Sequence, residues 1–410
     1  MNQPEMHAST EGTLSLQYPS IPLARHRSHD EQIESITVGE AAALLLGIAD
    51  PPISLSMKDM STTLSYAFQI GMQKVPTPST ARVFLSESID TMSLKGTGLQ
   101  ASQISSIACK RDRTADLRKL EQALIESIEK RESIAMIALS GGTPYDQAID
   151  EIAEAVKLRD RLVEEYSLNY RPHIHVDSHV GWPWLTFETY DWQSGNLRLP
   201  GAVQRNLRRQ YLRIRPVTEA DSWVVDISAL TGHLEQPVIM LNNTVTDIPT
   251  TEQADASFIV EMGQSGYQKH LAQFTDSIHY VRFLLKRHLD IHIANVRSDG
   301  YIAAIRLTPP GMTHHAIPNE VPSRALPTQR QIQRINEYTS AFFEWAQRSE
   351  RVPYLDFTDH YAQSASGTII NALLIEADSS FTREVARQTV EQLTEAKQQF
   401  NRTIWSELTR

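Results

Sequence analysis

His173-Ile174-His175-Val176-Asp177-Ser178-His179-Val180-Gly181 is the stretch on which the fold turns. Its polar–apolar alternation predicts a strand over His173–Asp177, with successive side chains on opposite faces. His173, His175 and Asp177 then share one face, and Asp177 closes the strand. Parallel sheets bind ligands outside the carboxyl ends of their strands, so a carboxylate in that place is well sited for one. From spacing alone, the plainer reading is a strand end with ordinary solvated polar residues.

Outward from this strand the chain alternates. Ala81–Leu85 and the unbroken apolar run Ile134–Leu139 predict strands, the second buried on both faces. Trp223–Ile227 and Val238–Leu241 predict two more. Between them, Leu117, Leu120, Leu124 and Ile128 recur at helical spacing, placing a helix over Thr114–Lys130. Ile149, Ile152, Val156 and Val163 mark the next, and Glu40–Gly47 and Leu64–Met72 suggest short buried ones. Strand–helix–strand in this rhythm implies a mostly parallel sheet with helices on both faces. Tyr267, Leu271, Phe274, Ile278, Val281 and Leu285 then form one apolar seam along a long connector helix. Beyond it, strands at Asp290–Val296, Tyr301–Leu307 and Ile369–Glu376 accompany helices around Ile332–Trp345 and from Thr382. That is a smaller α+β unit. The expected division is a polar arm over 1–35, a large α/β domain over 36–288 and a small C-terminal α+β domain over 289–410.

Several segments resemble the group II decarboxylases that depend on pyridoxal phosphate (PLP), the family of glutamate, histidine and aromatic amino-acid decarboxylases. His175-Val-Asp177-Ser178-His179-Val-Gly181 resembles the family's HVDAAWGG. Phe84-Leu-Ser86-Glu87 resembles its strand and SE segment. Ser140-Gly-Gly-Thr143-Pro-Tyr-Asp-Gln-Ala148-Ile-Asp150 resembles GTTxxGAxD, and Ala220-Asp221-Ser222-Trp-Val-Val-Asp226 resembles ADSxxxDPHK. Gly266-Tyr267 opens a helix like the family's connector. Their order and spacing carry the likeness from about residue 36 to 400. It implies the aspartate-aminotransferase-like fold (type I) of PLP-dependent transferases, with a seven-stranded sheet and a dimer whose sites lie at the subunit boundary. Asp177 would face the pyridine nitrogen. His175, Ser178, Thr143 and Ser228 would line the rest of a vestigial cofactor pocket.

The departures from the family are concentrated on the cofactor. Its D-P-H-K-L-T-G stands here as Asp226-Ile227-Ser228-Ala229-Leu230-Thr231-Gly232. The Schiff-base lysine is thus Ala229, which offers neither nucleophile nor base. The phosphate turn SGGTEAN corresponds to Met57-Lys58-Asp59-Met60-Ser61-Thr62-Thr63. It has lost both glycines and gained an acid where backbone amides should meet a phosphate. The ring-stacking histidine falls at Asp90 or Thr91. After Leu241, the run to Gln253 leaves a short turn in place of the mobile catalytic loop and its arginine. Four losses around one ligand, with the apolar framework kept, are the expected trace of a scaffold retained without its chemistry.

Composition sets outer limits. The net charge of −10 argues against nucleic acid or an anionic membrane as the main partner. A single cysteine, Cys109, rules out an internal disulfide and points to a reducing, cytoplasmic home. It reads as a buried structural residue. The longest apolar run, Ala41–Ile48, is too short to span a bilayer. Arg205, Arg208, Arg209, Arg213 and Arg215 form a cluster fit for a phosphate or acidic partner, though a solvated helix face and strand start is the plainer reading. His173, His175, Asp177 and His179, with His314 and His315, offer a metal alternative.

The leading expectation is therefore a catalytically degenerate decarboxylase homologue with no resident cofactor. It would serve as a structural or regulatory subunit, paired with itself or with an active homologue. The alternatives are a repurposed pocket with PLP-independent chemistry, and a weak carboxy-lyase holding PLP without a covalent link.

Overall fold

The computed structural model describes residues 45–47, 53–57, 60–89, 94, 97–193, 197–226, 238–242, 257–312, 329–364 and 367–406. Ser228, Ala229, Lys58, Asp59, Asp90, Thr91, His314 and His315 lie outside them, as do the arm and nearly all of the short turn after Leu241.

Seven strands form the large sheet: β1 (Ile53–Met57), β2 (Arg82–Ser86), β3 (Ile104–Ile107), β4 (Ile134–Ser140), β5 (His173–Asp177), β6 (Ser222–Asp226) and β7 (Val238–Asn242), in the order β1-β7-β6-β5-β4-β2-β3. β7 runs antiparallel to both neighbours, and every other pair is parallel. The mostly parallel sheet expected from the apolar runs is present.

Strand alternation divides the core in two. Phe84, Ile137, Leu139, Ile174, Val176, Trp223 and Val225 face one layer. Val83, Leu85, Met136, Ala138 and Val224 face the other, with Leu64, Ala67 and Phe68 of α1 (Met60–Lys74) packed on them. α2 (Leu117–Glu129), α3 (Ile152–Glu165) and α4 (Gly201–Ile214) supply the crossovers. α2 begins later than Thr114 because the Asp116 carboxylate accepts the Arg118 N–H and caps it there. After α4 comes a short 3-10 turn over Arg215–Glu219 rather than the start of a strand.

α5 (Ser257–Leu285) is the connector, broken at Gly263, whose φ of 57° and ψ of 172° are not helical. All six seam residues from Tyr267 to Leu285 are buried. Each aliphatic one contributes roughly 1.5–3 kcal/mol by leaving water. Four further strands, β8 (Ile291–Ile293), β9 (Ile302–Leu307), β10 (Leu355–Gln363) and β11 (Ile369–Glu376), make an antiparallel sheet in the order β10-β11-β9-β8. β8 is shorter than expected, since Ala294–Arg297 turn away. α6 (Gln329–Arg348) and α7 (Arg383–Phe400) complete this unit, α7 capped by the Thr382 hydroxyl. Among the described residues no helix is long and apolar enough to cross a membrane.

Candidate active site

β5 sits between β4 and β6, so its carboxyl end opens at the middle of the parallel sheet. The loops beyond β4 and β5 meet there backbone to backbone. Gly141 N–H donates to Asp177 O at 2.6 Å, and a Cβ on Gly181 would stand 1.7 Å from Gly141 O. Only glycine permits that approach. Ser178 clasps the end of β5 to β6, its hydroxyl donating to Val224 O at 2.5 Å and accepting Val224 N–H at 3.2 Å. Trp182, fully buried, donates its indole N–H to Asp226 O at 2.7 Å. These contacts fix where Asp177 can be.

The loop after β4 closes on itself. Thr143 Oγ1 accepts Ala148 N–H at 3.1 Å, and Thr143 O accepts Gln147 N–H at 2.9 Å. Asp150 returns under the strand and accepts Ala115 N–H at 2.6 Å and Ser140 N–H at 2.7 Å. Burial pushes its carboxyl up to about 6 against those two donors, which favour the ionised form.

Below Asp177 lies a buried polar chain. Lys74 Nζ, at the end of α1, meets His173 Nδ1 at 3.1 Å. His173 Nε2 and His175 Nδ1 converge on one atom, Ser222 Oγ, at 2.7 and 2.8 Å. Burial pulls His175 down to about 4. Burial, aided by the Lys74 ammonium, pulls His173 to about 2. Both rings are therefore neutral at ordinary pH, so one hydroxyl can serve two imidazoles by donating to one and accepting from the other. His175 Nε2 is buried without a partner.

At the mouth of the site, Asp177 Oδ1 stands 2.6 Å from His179 Nδ1, with both side chains about one-fifth exposed, at 23% and 22%. Burial drives the Asp177 carboxyl upward, but the imidazolium beside it outweighs burial and holds it below the usual carboxylate range. Burial likewise opposes a charge on His179, and Asp177 overcomes it and raises the imidazole. The two form an internal ion pair at the strand end.

No protein-family model matches the sequence, and no curated protein does. Solved structures do. Mouse CSAD in its apo form superposes with a TM-score of 0.64 at 14% identity, over 88% of this chain and 74% of that one. Tryptophan decarboxylase of Catharanthus roseus, in complex with L-tryptophan, gives 0.60 at 13%, over 87% and 72%. The glutamate decarboxylase domain of the diaminobutyrate-pyruvate transaminase and L-2,4-diaminobutyrate decarboxylase from Vibrio parahaemolyticus gives 0.63 at 13%, over 88% and 72%. The chain has the fold of the group II PLP-dependent decarboxylases.

On this decarboxylase fold, the residues singled out from sequence fall into distinct groups. Asp177 stands at the strand end, with His175 beneath it. Thr143 and Ser178 both line the junction, yet each hydroxyl is engaged with the chain's own backbone. The histidines do not converge as metal ligands. His173 and His175 share a serine, His179 faces Asp177, and no group of three or more candidate ligands gathers among the described residues. Cys109 is half-buried rather than buried, its Sγ 3.3 Å from Ser88 Oγ, and burial raises its thiol. Ser222 and Lys74 went unnoticed as partners of the histidines. Ser222 lies in the segment that resembles ADSxxxDPHK, but only the pairing of β5 with β6 aligns it with His175.

Proposed function

We propose that this chain is a catalytically degenerate decarboxylase homologue that acts as a structural or regulatory subunit, as a homodimer or paired with an active homologue. The observation that carries the reading is the Asp177–His179 pair at 2.6 Å. In the motif HVDAAWGG the position of His179 is an alanine, and the aspartate is left to face a pyridinium. Here a side chain of the same protein supplies that cation.

PLP is the cofactor that the fold implies, and the residues present do not fit it as a covalent group. Asp177 is already matched in charge, Ala229 offers no amine, and Asp59 in the former phosphate turn would repel a phosphate. The structural contacts of Ser178, Thr143 and Asp150 support retention of the scaffold for its shape.

The test has two arms. Purified protein is saturated with PLP, reduced with borohydride and digested for mass spectrometry. The expected result is no stoichiometric single-site adduct, and one adduct on a defined lysine would overturn the reading. Light scattering, alone and with an active decarboxylase of the same host, should give a dimer or a mixed dimer. A monomer in both samples would remove the subunit role.

A further inference from the structure

Away from Asp177 and its histidines, a cleft of about 250 Å³ opens between the two sheets. Five chain segments wall it: the turn after β3, the loop after β4, one face of α4, the turn between β8 and β9, and Tyr361–Ala362 of β10. They bring five guanidiniums to it, Arg111, Arg113, Arg209, Arg213 and Arg297, against three carboxyls, Asp112, Asp146 and Asp299. The excess is +2 (five minus three) in a chain whose net charge is −10. It therefore arises from placement rather than composition.

The pairing within the cleft is incomplete. Arg113 Nε reaches Asp146 Oδ2 at 3.2 Å, and Arg209 Nε reaches Asp299 Oδ2 at 2.7 Å. Arg111 and Arg297 have no acid within ion-pair distance among the described residues, and Arg213 acts on the Asp112 and Asp299 carboxyls without a direct ion pair. Behind the wall, buried Arg282 donates from its two terminal nitrogens to Ser298 O, Gly300 O and Ile302 O and adds a further positive charge. Gln147 belongs to the same wall. Its Oε1 is fixed by Tyr301 N–H at 2.6 Å, and its side chain also reaches the buried Tyr301 hydroxyl. Three guanidinium forks without a direct ion pair leave the cleft rich in available donors.

We propose that this cleft binds a small phosphate-bearing anion. Guanidinium forks match phosphate oxygens in bidentate fashion. A tetrahedral dianion can answer three forks from different directions, whereas a planar carboxylate answers one or two. The volume lies just below the ~300–1,000 Å³ of pockets for drug-sized ligands, which suits a phosphate with at most a few carbons attached. Concavity favours such a ligand over an acidic peptide. Because both sheets contribute walls, the occupant ties them together.

The experiment is titration calorimetry of the full chain with inorganic phosphate and with glycerol 3-phosphate, using chloride at matched ionic strength as control. Both phosphates should bind where chloride does not. Tighter binding of the ester points to a phosphorylated metabolite, and equal affinity to free phosphate. Arg213→Ser/Arg297→Ser should weaken binding at least tenfold, while Arg348→Ser on α6 leaves it unchanged. Arg297→Ser alone, at an exposed residue without a partner, should fold normally and weaken binding several-fold. Equal affinity in native and Arg297→Ser protein would overturn the proposal. So would a phosphate response no larger than that of chloride, or binding of poly-glutamate without any response to phosphate.

Discussion

Burying a histidine as a neutral ring has a measurable consequence in acid. His175 is held at about 4 and His173 at about 2, whereas both titrate near 6.5 in an unfolded chain. As pH falls below 6.5, the unfolded state takes up protons that the folded state refuses, so stability drops toward the folded values. The Asp177 pair has its own limits. Its carboxyl is depressed, so that share is present above the ordinary carboxylate value and lost as pH falls through the folded one. His179 is raised, so its share is present below the ordinary imidazole value and lost as pH rises through the folded one. The pair stabilises most between these bounds. Asp150, raised to about 6, opposes His175, because the folded state takes that proton first on acidification. Comparing native protein with His175→Gln isolates the share of His175 together with its coupling to His173 and Asp177. Urea denaturation between pH 4 and 6.5 should show the variant less steep, by up to about 1.4 kcal/mol per pH unit where one full proton is at stake. Equal slopes would mean that His175 is not the group excluded from protonation.

At the level of elements, α1 lies close on the sheet because small residues face each other. Ala135 and Ala138 of β4 leave room, and a Cβ on Gly71 would fall 2.3 Å from Ala135 O. Gly71→Ala gains helix propensity worth about 1 kcal/mol but forces the helix away from β4. The clash should prevail, with a net loss of roughly 2–4 kcal/mol in equilibrium denaturation. A stabilised variant would show that the helix can shift freely. Such contacts explain what the sequence made legible. β4, β5 and the α5 seam stood out because each buries a continuous or strictly periodic set of side chains. β3, Ile-Ser-Ser-Ile at the sheet edge, has too little apolar content to announce itself. β10 was missed because its pairing shifts between Thr358 and Ala362, which breaks the two-residue period. Asp177 was legible as the end of a strand, while its partner His179 was not, since the approach depends on the turn beyond the strand. The arginine cleft was half visible. The run from Arg205 to Arg215 hinted at it, but only Arg209 and Arg213 face it, and the other walls come from distant segments.

Across the whole molecule, the loop after β4 is where the two sheets are joined. Asn295 Nδ2 donates to Tyr145 O at 3.1 Å, and Tyr361 OH donates to Asp146 Oδ1 at 2.6 Å. Gln147 Oε1 accepts the N–H of buried Tyr301, just before β9, at 2.6 Å. Gly300 beside it has no room for a side chain, since a Cβ would lie 1.7 Å from that same oxygen. Three consecutive residues, Tyr145, Asp146 and Gln147, thus bind three segments of the small-sheet unit to the loop that also frames the Asp177 junction. Gln147 is central, because its own carbonyl accepts Gln210 Nε2 of α4 at 2.8 Å. Gln147→Leu keeps approximate size but leaves the Tyr301 N–H buried without an acceptor, a loss of roughly 1–3 kcal/mol. The effect should also be directional. Amide exchange at Tyr301 and along β9 should accelerate, while exchange in β4 and β5, held by the parallel ladder, stays near native. If β9 exchange is unchanged and stability is lost only in the large sheet, the loop braces its own strand and does not couple the two units.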